Sequence, residues 1–194
     1  MFSPRKISYC LLPLAILLTI LTSCEKWKDE KAEDDPRLND RKYCNDPEAV
    51  NYNWGFPGKP DNTVCFYPSD LYEGTYLLTD SVYTQDNVFD SAASLQTYTL
   101  ELIPISKSRF VIRGFCPTDS LEFTAGRTTF RAIADTTFVA ANNKKDFGQP
   151  LCRVQDTLTG LIIKNQLDST QLFIDWRVVS DTGVNYHRGT AIKQ

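Results

Sequence analysis

The chain has 194 residues, 42% hydrophobic and 23% charged, with 21 Lys and Arg against 24 Asp and Glu and a formal net charge of −3. No basic patch with interleaved aromatics occurs, which argues against nucleic acid as a partner. Its 9 glycines are scattered and form no phosphate-cradling loop, and its one histidine, His187, offers little for metal or nucleophile chemistry.

Arg5 and Lys6 precede an apolar run from Leu11 to Leu21, broken only by Pro13 and Thr19. The run is shorter than the ~20 apolar residues a membrane-spanning helix needs and suits a signal-peptide core. It ends in Leu21-Thr22-Ser23-Cys24, which resembles the lipobox of bacterial lipoproteins. The resemblance implies that residues 1–23 are a signal peptide, that Cys24 is lipidated, and that the membrane is a partner through that lipid. Each buried methylene contributes about 0.8 kcal/mol, and two or more acyl chains make such an anchor stable. Residues 24–42 follow as a mixed-charge tether with too few apolar side chains for a core. Within it, Lys28-Asp29-Glu30 resembles the Lys followed by two acids found after the lipid Cys in surface lipoproteins of Bacteroidota. That resemblance implies an outer-membrane location facing the cell surface; without it, the same residues are a solvated spacer.

Removing Cys10 with the signal and Cys24 by lipidation leaves Cys44, Cys65, Cys116 and Cys152, an even set in an oxidising compartment. Three pairings are open. Joining nearest neighbours, Cys44 to Cys65 and Cys116 to Cys152, keeps each bridge within one unit and stabilises by roughly 3–4 kcal/mol per loop. A four-thiolate zinc site is disfavoured because no C-x-x-C pair exists.

Residues 43–68 form a loop-rich module, since Gly55, Pro57, Gly58 and Pro60 break any long helix or strand between its cysteines. Cys44-Asn45-Asp46-Pro47-Glu48-Ala49-Val50-Asn51-Tyr52-Asn53 resembles a disulfide module common in secreted Bacteroidota proteins, Cys-x-Asp-Pro-x-Ala-x-Asn-Tyr-Asn. Pro60 to Val64 stand where that family has a short acidic approach to its second Cys. Asp46, Asn51, Asn53 and Asp61 could supply oxygens to calcium, but turn-forming side chains that bond nearby backbone are the favoured reading.

Residues 69–194 read as a β domain. Period-two alternation places Tyr98, Leu100 and Leu102 on one face, then Phe110, Ile112 and Gly114 opposite Val111, Arg113 and Phe115. Further strands are expected over Gly74–Val82, Leu121–Thr124, Thr128–Ile133, Thr157–Lys164 and Asn185–Lys193. Leu172, Ile174, Trp176 and Val178 give the clearest alternation in the chain. Turns fall at Gly126, at Asn165 to Asp168 and at Asp181 to Gly183. The fold expected is all-β, an antiparallel meander of about eight strands, with a β-sandwich as runner-up. Opening on Gly74-Thr75-Tyr76 with a long loop from Thr84 to Leu95, it resembles a lipocalin barrel, with Tyr76 in place of that family's Trp. An immunoglobulin sandwich is disfavoured because Trp176 lies after both Cys116 and Cys152.

No catalytic residue, metal site or cofactor is expected. His187 reads as a surface or half-buried strand residue without a nucleophile elbow. Glu101, Glu122, Asp156 and Asp175 are carboxylates in strands, and no spacing elevates a pair for glycoside chemistry. Two function classes remain beside that hydrolase alternative. One is a non-catalytic barrel binding a small apolar ligand through Tyr76, Tyr98, Leu100, Phe110, Ile112, Leu172, Ile174 and Trp176. The other is a structural or envelope-protein-binding lipoprotein in which the same residues fill the core.

Overall fold

The computed structural model describes residues 40–53, 58–116, 120–136, 148–153 and 156–194. The lipobox, Cys24 and nearly all of the tether lie outside these residues. Contacts divide the chain into Met1–Arg41 with Pro57–Lys59, and Lys42–Phe56 with Pro60–Gln194. In the first unit, Lys59 Nζ lies 2.7 Å from Asp40 Oδ1. Among the described residues, no helix is long and apolar enough to cross a membrane.

Two short strands, β1 (Lys42–Tyr43) and β2 (Lys59–Pro60), belong to the N-terminal segment. The β domain then runs as β3 (Gly74–Thr84), β4 (Gln96–Pro104), β5 (Arg109–Arg113), β6 (Leu121–Ala125), β7 (Arg131–Ala134), β8 (Gln149–Leu151), β9 (Asp156–Lys164), β10 (Gln171–Ser180) and β11 (Gly183–Lys193). Every neighbouring pair is antiparallel, and β11 pairs with β3 just as β10 pairs with β9. The order β3-β4-β5-β6-β7-β9-β10-β11 therefore returns to its first strand as a closed barrel of eight, lipocalin-like in build. Closure decides against two stacked sheets. Alternation and short turns suit either arrangement, and the ladder of Asn185 to Lys193 against Thr84 to Tyr76 is what closes the ring.

The ring has one irregular side. β7 pairs with the lower part of β9, from Ile163 to Leu161, and β8 takes the upper part, from Leu158 to Asp156. Where β7 has ended, the Gln149 side chain serves in place of a strand. Its Oε1 accepts from the Glu122 N–H at 2.8 Å and its Nε2 donates to the Glu122 carbonyl at 2.9 Å.

Three strand expectations need correction. β8 was not expected, because three residues including Pro150 carry no readable period. The strand expected over Thr128–Ile133 begins only at Arg131, since Phe130 has φ 52° and ends a turn. β5 stops at Arg113 because Gly114 has φ 96°, and this reverses the face expected for Phe115. A Cβ on Gly114 would lie 2.0 Å from the Thr99 carbonyl oxygen, so only glycine fits.

The disulfides join Cys44 to Cys65 and Cys116 to Cys152. The second ties the loop after β5 to the turn before β9, at the end opposite the module. At the module end, Tyr72 is fully buried and stacks on Phe110 at 4.9 Å. The Ser69 hydroxyl donates to the Ser106 carbonyl at 2.7 Å. Lys107, in the β4–β5 turn, lies 2.6 Å from Asp46 Oδ2 and 2.7 Å from Glu48 Oε2. Arg127, in the β6–β7 turn, donates to the Pro47 carbonyl at 2.6 Å.

Three of the four side chains weighed as calcium donors, Asp46, Asn51 and Asp61, have oxygens engaged within this fold. Asp46 also accepts from the Tyr67 hydroxyl and the Glu48 N–H, Asn51 accepts from the Phe66 N–H, and Asp61 accepts from Thr63 and meets Lys42. The Lys107 ammonium, then the Glu48 N–H, hold the Asp46 carboxyl below the usual carboxylate range. A carboxyl depressed on folding contributes stability above its unfolded value of about 3.9 and loses it as pH falls through the folded one. Asp46→Asn is therefore expected to lower Tm at neutral pH, and the gap to wild type should close below about pH 4. Thermal melts at several pH values check this; a gap independent of pH would refute the clamp.

Candidate functional site

Alternation along β3 sends Tyr76, Leu78, Asp80 and Val82 inward, while register with β11 sets His187 beside Val82. An aromatic column runs along the interior. From the base it passes Tyr72, Phe110, Phe123, Trp176, Phe115 and Tyr98, with successive centroids 4.9, 5.8, 5.9, 5.1 and 4.8 Å apart. Such pairs add about 0.5–1.5 kcal/mol each beyond burial. Trp176 crosses the interior because β9 carries Gly160 opposite it. A Cβ there would lie 2.7 Å from the Trp176 Cα.

Beside the upper column sits a polar pair. His187 Nδ1 is 2.6 Å from Asp80 Oδ2, and the side chains are 15% and 1% exposed. An ionised carboxylate only accepts, so the ring donates its Nδ1–H to Asp80. The His187 ring packs edge-on to Phe115 at 5.8 Å. Asp80 Oδ1, Trp176 Nε1, Tyr76 OH and Tyr72 OH are buried without a hydrogen-bond partner among the described residues. Burial pushes the Tyr76 and Tyr98 phenols above their ordinary value, and at Tyr98 the Asp80 charge adds to the effect. Burial likewise pushes the Lys164 ammonium down; its Nζ donates to the Ser169 carbonyl near the base.

All eight residues offered as the interior lining lie on the inner face. Tyr76, Leu100, Phe110, Ile112, Leu172, Ile174 and Trp176 are buried, and Tyr98 packs against them partly exposed. Phe115, Phe123, Tyr72 and the Asp80–His187 pair also belong to the interior and are not among those eight. Asp80 did carry a signal, a charged residue at an inward position between Leu78 and Val82. His187 is half-buried and tied to a carboxylate 107 residues away, so it is not a surface residue. Of the strand carboxylates, Glu101, Glu122 and Asp175 face outward, and Glu122 pairs with Arg109. Asp156 begins β9 with a buried Oδ1 that has no partner among the described residues. Among those residues, no group of three His, Cys, Asp or Glu could hold a metal ion.

The outer wall carries an open cleft of about 480 Å³ lined by Thr79, Ser81, Phe173, Asp175, Arg188 and Thr190. Phe173 is 41% exposed there.

The geometry defines a small antiparallel barrel of lipocalin-like build, with an aromatic interior and a buried carboxylate–imidazole pair. No family model matches the chain, and no curated protein matches it. The solved structure of EF1p2_mFAP2b bound to DFHBI is similar at 17% identity and a TM-score of 0.38, covering 66% of this chain and 97% of that one.

Proposed function

We propose that the protein is a lipid-anchored, outward-facing envelope lipoprotein whose barrel binds a small organic ligand without catalysing its conversion. The anchor rests on the lipobox residues ending at Cys24 and on the charged tether after them. The binding role rests on one observation: Asp80 Oδ1 and Trp176 Nε1 are buried among aromatic rings without partners. Buried polar atoms are nearly always hydrogen-bonded, and each one left alone costs about 1–3 kcal/mol. A barrel built only for stability would place apolar groups there.

Native mass spectrometry of the mature protein in detergent tests this reading. A retained mass lost on denaturation is expected. A single unliganded mass, unchanged after incubation with aromatic and aliphatic compounds, would refute it. The second reading is a filled barrel that acts through its surface, favoured by the unbroken aromatic column and by the outer cleft beside Phe173 and Arg188. The non-catalytic role is supported by the outward placement of three of the four strand carboxylates and by the oxidised state of all four module and barrel cysteines. Turnover of esters or glycosides that vanished on replacing Glu122 and Asp156 would overturn it.

A further inference from the structure

Resting on the reading of a ligand held in the barrel, we propose that the group recognised beside Asp80 is a primary ammonium on a small aryl-alkyl body. Three observations meet at this place. Asp80 is fully buried, with Oδ2 engaged by His187 and Oδ1 without a partner among the described residues. His187 gives Nδ1–H to Asp80 Oδ2, which leaves Oδ1 as the open position on the carboxylate. Asp80 thus presents one buried acceptor that no donor meets among the described residues. Its complement is an N–H donor that carries a positive charge, since charge-assisted hydrogen bonds to a desolvated carboxylate are the strong ones.

The surroundings suit the same group. Phe115 packs on His187 at 5.8 Å, on Trp176 at 5.1 Å and on Tyr98 at 4.8 Å. The negative faces of such rings attract an organic cation, most strongly when it is desolvated. The negative charge of Asp80 is felt at the Tyr98 hydroxyl, which places that ring within electrostatic reach of the carboxylate. Unpartnered Trp176 Nε1–H supplies a donor for an acceptor elsewhere on the ligand.

Isothermal titration of the detergent-solubilised mature protein with three probes separates the terms: 2-phenylethylamine, its N,N,N-trimethyl analogue and 2-phenylethanol. The amine is expected to bind at least about tenfold tighter than either of the others, the effect of losing a charge-assisted hydrogen bond. In Asp80→Asn that preference should fall to within about twofold while the alcohol keeps its affinity. The wild-type series decides the matter alone should the variant fail to fold. Equal binding of amine and alcohol would overturn the ammonium and leave the barrel-binding reading standing. Preference for the trimethyl analogue would overturn the hydrogen-bond requirement and with it the proposal. Binding of none of the three overturns the ammonium, and a retained mass in native spectrometry then still reports on the barrel itself.

Discussion

Trp176→Ala is expected to lower stability by about 3–5 kcal/mol, the range for emptying a large buried aromatic site. The side chain is fully buried, and Phe115 and Phe123 pack on it from two sides. The space left cannot collapse easily. β9 and β10 are pinned to each other from Leu172 through Val179, and the disulfide Cys116–Cys152 ties the loop next to Phe115. At about 2–4 °C per kcal/mol for a chain this long, Tm should fall by about 6–20 °C. Trp176→Phe should recover much of the loss while removing the Nε1–H donor. Thermal circular dichroism of the three proteins checks this. A drop of under about 1 kcal/mol for the alanine variant would show that the aromatic column is not the barrel's mechanical centre.

Gly114→Ala should cost a similar amount by a different route. The residue holds φ 96°, and its added Cβ would sit 2.0 Å from the Thr99 carbonyl oxygen, a backbone atom with no rotamer to escape into. Strain at such a dihedral costs about 1–3 kcal/mol, and forced overpacking adds about as much again, for about 2–6 kcal/mol in all. The effect is expected to reach the interior, because Gly114 is what turns Phe115 inward against Tyr98 and Trp176. Near-ultraviolet circular dichroism should lose aromatic signal along with Tm. A variant as stable as wild type with unchanged aromatic bands would contradict the assigned backbone.

The barrel was legible where inward and outward residues alternate without interruption. In β10, Leu172, Ile174, Trp176 and Val178 face the interior for all of its length, and no other signal is needed. Legibility ended at positions governed by dihedrals or by distant partners. Phe115 was placed on the outer face because parity was carried through Gly114, whose left-handed backbone cancels it. β8 went unnoticed because Gln149 contributes its side chain to the wall, which no period reports. The polar pair was hidden for a topological reason. Asp80 and His187 are 107 residues apart and meet only because the last strand closes on the first. The inward lining could be named from strand parity, whereas its one charged contact required the register of the closing ladder.

The carboxamide of Gln149 has a mechanical consequence. Elsewhere among the described residues the wall is joined by main-chain ladders, which part only when several bonds break together. Between β6 and β8, Glu122 is reached by a side chain that can swing away about its own torsions while its backbone stays in place, and the Glu122 carbonyl also keeps a main-chain bond from the Asp135 N–H at 2.9 Å. The joint behaves as a latch in an otherwise welded cylinder. Letting go of Gln149 there breaks two side-chain hydrogen bonds and leaves the main-chain ladders of the ring intact.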